Sequence, residues 1–145
     1  MKKVEIFTDG ACKGNPGPGG WGAILRYGQK EKEISGGEPQ TTNNRMEINA
    51  VLQSFKCLKE PCKVTLYSDS QYVCNALKLG WAKKWQANNW MRNKKEPALN
   101  VDLWEELLGL YEQHEVEIVW VRGHSGHPEN ERCDRLAVAA AEKYK

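Results

Sequence analysis

Apolar residues change their period several times along the chain, and each change marks an element. Residues 4–9 (VEIFTD) alternate as a β-strand does and run into Gly10. The glycine- and proline-dense stretch 14–20 (GNPGPGG) predicts a tight connection. Residues 21–27 and 31–35 read as two further strands of an antiparallel meander. Helical spacing then begins near Asn44, passes through Met46, Ala50, Val51, Phe55 and Leu58, and is stopped by Pro61. Residues 64–67 (VTLY) form a fourth strand, and Ser70 is placed to cap a helix through Val73, Ala76 and Leu77 that Gly80 closes.

Beyond Gly80, a tryptophan- and lysine-rich insert of mixed character fills about 81–96. Asn100 is placed to cap a helix with Val101, Trp104, Leu107, Leu108 and Tyr111 on one face. Residues 116–121 give a fifth strand, GHSGHPEN a loop, and Pro128 the start of a last helix reaching Tyr144. The order β-β-β-α-β-α-insert-α-β-α predicts an α/β fold, a mixed sheet covered by helices, with residues 1–145 as one domain.

Composition narrows the class. At 145 residues, with 40% hydrophobic and 28% charged positions, the chain is long enough to bury a core without staples. Its mean hydropathy of −0.70 and lack of a long apolar run speak against a membrane partner. The alternating N-terminus does not read as a signal peptide. Five scattered cysteines without a CxxC pair favour free thiols and a cytoplasmic location.

The net charge of +2 conceals an uneven distribution. Between Ser70 and Lys95 stand Lys78, Lys83, Lys84, Arg92, Lys94 and Lys95 without one acidic residue. A basic segment on an otherwise acidic body predicts an anionic partner met at one surface.

The chemistry lies in the acids. Asp9 and Asp69 each end a strand, Glu47 sits in the first turn of the first long helix, and Asp134 lies in the last helix. Strand carboxyl ends are where α/β sheets collect their sites, so Asp9 and Asp69 are expected side by side. Clustered carboxylates repel unless a hard divalent cation neutralises them, and oxygen ligands suit Mg²⁺ or Mn²⁺. Two such ions about 3.5–4 Å apart can hold the attacking water and the leaving oxygen of a phosphodiester. Each acid also has an ordinary structural reading. Asp9 before Gly10 can form a turn, Asp69 can cap a helix, Asn44-x-x-Glu47 has capping-box spacing, and Asp134 can be a solvated helix residue.

The words around these acids are more specific than the acids alone. IFTDGAC, GNPGPGGWGAIL, TTNNRMEINA, YSDSQYV, NVDLW and VRGHSGHPENERCDRLA resemble, in order and spacing, the bacterial type 1 ribonuclease H family over nearly the whole chain. The resemblance implies a five-stranded mixed sheet in the order 3-2-1-4-5 flanked by helices. It implies a metal-binding, catalytic set at Asp9, Glu47, Asp69 and Asp134, and a loop histidine at His124. The implied activity is endonucleolytic cleavage of the RNA strand of an RNA–DNA hybrid with two Mg²⁺ ions, leaving 5′-phosphate and 3′-hydroxyl ends, by a monomeric protein. Asn15, Asn43, Asn44 and Gln71 fall where the family meets RNA 2′-hydroxyls, and Thr42 and Asn100 where it holds a DNA phosphate. Gln40 departs from the arginine that several relatives carry, which predicts a weaker grip on that phosphate. Side-chain amides both donate and accept, as recognition of a 2′-hydroxyl requires.

The segment 81–96 resembles the family's basic protrusion. Lys83, Lys84, Lys94 and Lys95 are expected to contact phosphates. Trp81 and Trp85, at i and i+4, are expected on one helix face, either touching the hybrid or propping up the protrusion.

Four other readings compete. A phosphate-cradling loop at GNPGPGG lacks GxxxxGK[ST] and leads to a strand, not a helix. A zinc site at His124, His127 and Cys133 lacks a fourth ligand and standard spacing. A binding domain without chemistry, or an integrase-type core, is disfavoured by four intact carboxylates and by the short chain.

Overall fold

The computed structural model describes residues 1–122 and 127–144. Five strands, β1 (Lys2–Cys12), β2 (Gly17–Tyr27), β3 (Lys30–Thr41), β4 (Cys62–Ser68) and β5 (Glu115–Trp120), form one sheet in the order β3-β2-β1-β4-β5. The β3-β2-β1 meander is antiparallel, while β4 pairs parallel with β1 and β5 parallel with β4. The expected mixed sheet and its strand order are therefore present.

Alternation along the strands divides the sheet into two faces. Val4, Ile6, Leu25, Val64, Leu66 and Ile118 face the main core, covered by α1 (Asn43–Lys56), α2 (Gln71–Lys78), α3 (Trp81–Ala87) and α4 (Val101–Tyr111). Phe7, Ile24 and Cys133 form a smaller core on the other face, beneath α5 (Pro128–Glu142). That helix lies so close that a Cβ on Gly20 would stand 2.1 Å from the Ala137 carbonyl oxygen. Glycine in β2 thus sets the depth at which α5, and Asp134 with it, rides on the sheet.

Several boundaries differ from expectation, each for a physical reason. β1 continues past Gly10 to Cys12, and β2 begins at Gly17, inside the stretch expected to be a tight connection. Pro18, which lacks an amide hydrogen, is accommodated where the β2–β3 register slips between Gly17 and Gly19. β3 extends to Thr41 because it is an edge strand, where charged residues are tolerated and no apolar alternation is needed. The first helix ends at Lys56, with Cys57 as its C-cap, before Pro61 is reached. Its N-cap is Thr42, whose hydroxyl accepts from the Arg45 amide at 3.2 Å, so the capping-box reading of Glu47 fails. Ser70 caps α2 as expected, accepting from the Val73 amide at 3.2 Å.

Candidate active site

The parallel pairing of β1 with β4 brings Asp9 beside the start of α2, where Asp69 fills the one-residue step between Ser68 and the Ser70 cap. Three contacts fix that step. The Val121 amide donates to the Ser68 carbonyl at 2.9 Å, the Ser70 amide to the Ser68 hydroxyl at 3.1 Å, and the Trp120 indole to the Asp69 carbonyl at 3.1 Å. Glu47 arrives from α1 on the opposite side. Carboxylate oxygens of Asp9, Glu47 and Asp69 lie within 4.8 Å of one another.

These acids help line a polar hollow of about 400 Å³ bordered by Asp9, Gly10, Asn43, Asn44, Glu47, Asp69, Ser70, Gln71, Tyr72 and Asp134. Asp134 thus borders the hollow without joining the tight group of three. The expected amides Asn43, Asn44 and Gln71 stand on the wall. Asn15 is one step away, its side-chain oxygen accepting from the Asn43 amide at 3.0 Å and tying the glycine-rich turn to the start of α1.

Burial strains Asp9 and Glu47 electrostatically. Desolvation, followed by the nearby Asp69 charge, pushes the Asp9 carboxyl up to about 7 despite its acceptance of the Gly10 amide at 2.9 Å. Glu47 is pushed well above its ordinary value by burial first, then by Asp9 and Asp69. One Glu47 oxygen, Oε1, is buried without a hydrogen-bond partner. An orphaned buried carboxylate oxygen facing two more acids fits an oxygen-seeking divalent cation: a set of hard donors whose mutual repulsion such an ion would remove.

The expected phosphate-pocket residues follow a different pattern. Asn100 does not cap α4 with its side chain; it adopts a left-handed conformation at φ 60°. Its amide instead accepts from Arg45 at 3.3 Å and donates to the Tyr72 hydroxyl at 3.3 Å. Tyr72 also accepts from the Trp104 indole at 3.0 Å and lines the acid hollow, so one chain of contacts joins Arg45 to the site. Arg45 grips Asp102 with both ends of its fork, at 2.7 and 3.0 Å, and this holds the Asp102 carboxyl below its ordinary value. Neither Arg45 nor Tyr72 stands out in the sequence, because each is recognisable only through partners in distant segments.

In the insert, Trp81, Lys84, Trp85, Asn88, Met91 and Arg92 line a second hollow. Trp85 packs against the core, its ring centroid 6.4 Å from that of Trp104, whereas Trp81 is exposed. The prop therefore describes Trp85, and Trp81 is the ring left open to a partner. Folding also changes the charge count: Lys83 lies 3.7 Å from Glu112, and Arg92 pairs with Glu96 at 2.7 Å. Lys84, Lys94 and Lys95 have no carboxylate within ion-pair distance among the described residues.

His124 lies outside the described residues. The zinc reading finds no support in its other members. Cys133 is buried and donates to the Phe7 carbonyl at 3.2 Å, while the His127 ring lies tilted with its centroid 5.8 Å from those of both Phe7 and Tyr67. All five thiols are free, and no helix among the described residues is long and apolar enough to cross a membrane.

The chain is similar to known proteins in sequence and in fold. The family model RNase H matches residues 1–142. The ribonuclease H of Desulforamulus reducens is 62% identical over 143 residues, covering 99% of this chain and 90% of that protein. The ribonuclease H of Moorella thermoacetica is 59% identical over 140 residues, covering 97% and 92%. Among solved structures, LC9-RNase H1, described as a type 1 RNase H with the type 2 active-site motif, superposes with a TM-score of 0.88 at 31% identity. It covers all of this chain, which spans 74% of that one. LC11-RNase H1 in complex with RNA/DNA hybrid shares the fold, with a TM-score of 0.74 at 20% identity and 97% coverage of both chains. The match extends from the first strand through the last helix, and the acids that converge in the hollow come from both ends of it: this chain belongs to the bacterial ribonuclease H family.

Proposed function

We propose that this protein hydrolyses the RNA strand of RNA–DNA hybrids, cutting internally and leaving 5′-phosphate and 3′-hydroxyl ends. The observation that carries the reading is the convergence of Asp9, Glu47 and Asp69 in a polar hollow whose wall is lined with Asn43, Asn44 and Gln71. Metal ligands and groups suited to a 2′-hydroxyl thus stand side by side, as a nuclease selective for RNA requires. The hybrid bound by LC11-RNase H1 and the names of the relatives support the same substrate.

Asp9, Glu47 and Asp69 would hold divalent cations, with Asp134 completing the set from α5. Mg²⁺ is the expected ion and Mn²⁺ its substitute. Bound as a pair, such ions supply Lewis-acid activation of the attacking water and neutralisation of the leaving oxygen. The protein's own contribution is to hold the acids in register through the Ser68–Ser70 step and the β1–α1 contact. Asn15, Asn43, Asn44 and Gln71 orient the RNA ribose, while Thr42 and Asn100 hold a phosphate of the DNA strand. Trp81, Trp85 and the protrusion lysines Lys83, Lys84, Lys94 and Lys95 add contact and attraction for the duplex, Trp85 through the framework it props and Lys83 least because of Glu112. His124, between two glycines, exchanges a proton near the scissile phosphate or assists product departure. A monomer in a reducing cytoplasm accounts for the free thiols.

End-labelled hybrid, RNA duplex and DNA duplex, each with Mg²⁺ or EDTA, test this directly. Cleavage is expected in the hybrid alone, in its RNA strand alone, and only with metal. Asp69→Asn should abolish it while leaving the fold intact. Tight hybrid binding without cleavage in Mg²⁺ or Mn²⁺ would instead identify a binding domain that has lost its chemistry.

A further inference from the structure

The Arg45–Asp102 pair stands where the hybrid reading puts a DNA phosphate, and the inference drawn from it rests on that reading. Arg45 follows Asn44 in the first turn of α1, and its own amide is the one that Thr42 caps. Its guanidinium crosses to α4 and meets Asp102 in a two-pronged contact, with Asn100 on the same Nη1 at 3.3 Å. Glu38, near the end of β3, is the other carboxylate whose charge favours the cation. The arginine is therefore bracketed by Thr42 and Asn100, the two positions expected to receive phosphate, yet its fork is filled by a carboxylate from its own chain.

A carboxylate and a phosphodiester offer a guanidinium the same feature, two oxygens spaced to accept two parallel N–H bonds. Asp102 can yield to a competitor because its side chain is 65% exposed, so the released carboxylate returns to water rather than to a buried pocket. Arg45 is better anchored, 28% exposed and held by Asn100 as well. Gln40, which leaves the pocket without a second arginine, makes the availability of Arg45 matter more.

We propose that Asp102 is an internal stand-in for phosphate: it occupies Arg45 in the free protein and is displaced by a phosphate of the DNA strand, so that this exchange sets affinity for the hybrid. Through Asn100 and Tyr72 the exchanged phosphate is also linked to the wall of the acid hollow. Asp102 thus acts as a restraint on binding, and its removal strengthens the complex.

The test is a double-mutant cycle on hybrid affinity, measured in EDTA at several salt concentrations alongside cleavage in Mg²⁺. Asp102→Asn should tighten Kd roughly two- to fivefold, the span that exposed ion pairs cover. Arg45→Gln should weaken Kd and lower the salt slope by about 0.9, as expected when one phosphate is no longer neutralised. Arg45→Lys, which keeps charge but not the fork, should fall between parent and Arg45→Gln. Adding Asp102→Asn to Arg45→Gln should change nothing further, because the aspartate acts only through the arginine. If Asp102→Asn cuts hybrid yet binds it no tighter than the parent, or tightens it equally without Arg45, the exchange is wrong and the pair merely joins α1 to α4. If the parent protein neither binds nor cuts hybrid, the functional reading fails, and the exchange with it.

Discussion

Glu47 reaches Asp9 across the bare backbone of Gly10. A Cβ on Gly10 would stand 2.7 Å from the Glu47 amide nitrogen, 2.9 Å from the Met46 carbonyl carbon and 3.0 Å from Glu47 Oε1. Asp9 lies opposite Gly22 in the sheet, and Gly22 packs beneath α5, whereas Gly10 turns toward α1. The absent side chain therefore lets an acid from a helix on one face approach an acid that belongs to the other. Glycine serves here as spacing, since its φ is not in the left-handed region.

Gly10→Ala should accordingly harm both fold and chemistry. Two of the three atoms it would meet belong to the backbone and cannot rotate away, so α1 must shift, at about 1–3 kcal/mol for an overpacked core. A displacement of Glu47 near 1 Å is expected to reduce turnover by roughly 10²-fold. Gly109→Ala is the control: it lies within α4 with open space around it and should gain about 0.5–1 kcal/mol. Equal kcat values for parent and Gly10→Ala would show that Glu47 is not held by this close approach.

The acids should also make the metal-free protein sensitive to pH. Asp9 is raised from 3.8 to about 7 and Glu47 is raised in the same direction, so the folded state binds protons that the unfolded chain has released. Stability is then fully present below the unfolded values near pH 4 and is lost as pH rises toward about 7. Divalent cations bind the deprotonated acids, so Mg²⁺ should raise the Tm more at about pH 8 than at about pH 5. Thermal melts in EDTA and in Mg²⁺ at both pH values measure this. A larger Mg²⁺ effect at the lower pH would contradict the assignment. Asp69→Asn, which removes a charge that raises both neighbours, should be at least as stable as the parent in EDTA near the higher pH.

Local signals account for what is legible in the sequence. Ser70 ahead of a helical pattern, the apolar face of α4 and Pro128 at the start of α5 need only a few neighbouring residues to be read. The convergence of Asp9, Glu47 and Asp69 follows from strand ends and from the family's words rather than from any property of one acid. What escapes depends on distant partners. The outer half of β3 carries no strand signal because it is stabilised by pairing with β2, not by its own alternation. Arg45 and Asp102 are 57 residues apart, and Asn100 resembles an ordinary cap until its amide is placed between Arg45 and Tyr72.

The protrusion lysines should not be equivalent. Lys83 is partly neutralised by Glu112 beside α4, whereas Lys84 borders the hollow shared with the exposed Trp81. Replacing Lys84, Lys94 and Lys95 together by Ala should raise KM several-fold and flatten the salt slope by about 0.9 for each phosphate no longer neutralised. Lys83→Ala should change both less than Lys84→Ala. Identical salt slopes for the parent and the triple variant would remove this segment from the interface.

His124 is expected to assist turnover without building the site. Gly123 and Gly126 flank it in the sequence, within the words that resemble the family's loop histidine. An imidazole with an ordinary pKa of about 6.5 exchanges protons near neutrality, which suits either the attacking water or the leaving oxygen. Such assistance is typically worth about 10²–10⁴-fold. His124→Ala should therefore lower kcat while leaving hybrid KM and the Mg²⁺ requirement close to those of the parent. Asp9→Asn, by contrast, should abolish activity at any Mg²⁺ concentration, because an amide cannot supply the charge that cations need. The two variants together distinguish a proton carrier from a metal ligand. A rise in the Mg²⁺ concentration needed by His124→Ala would assign the histidine to the metal site, and an unchanged kcat across the pH range would leave it no part in the reaction.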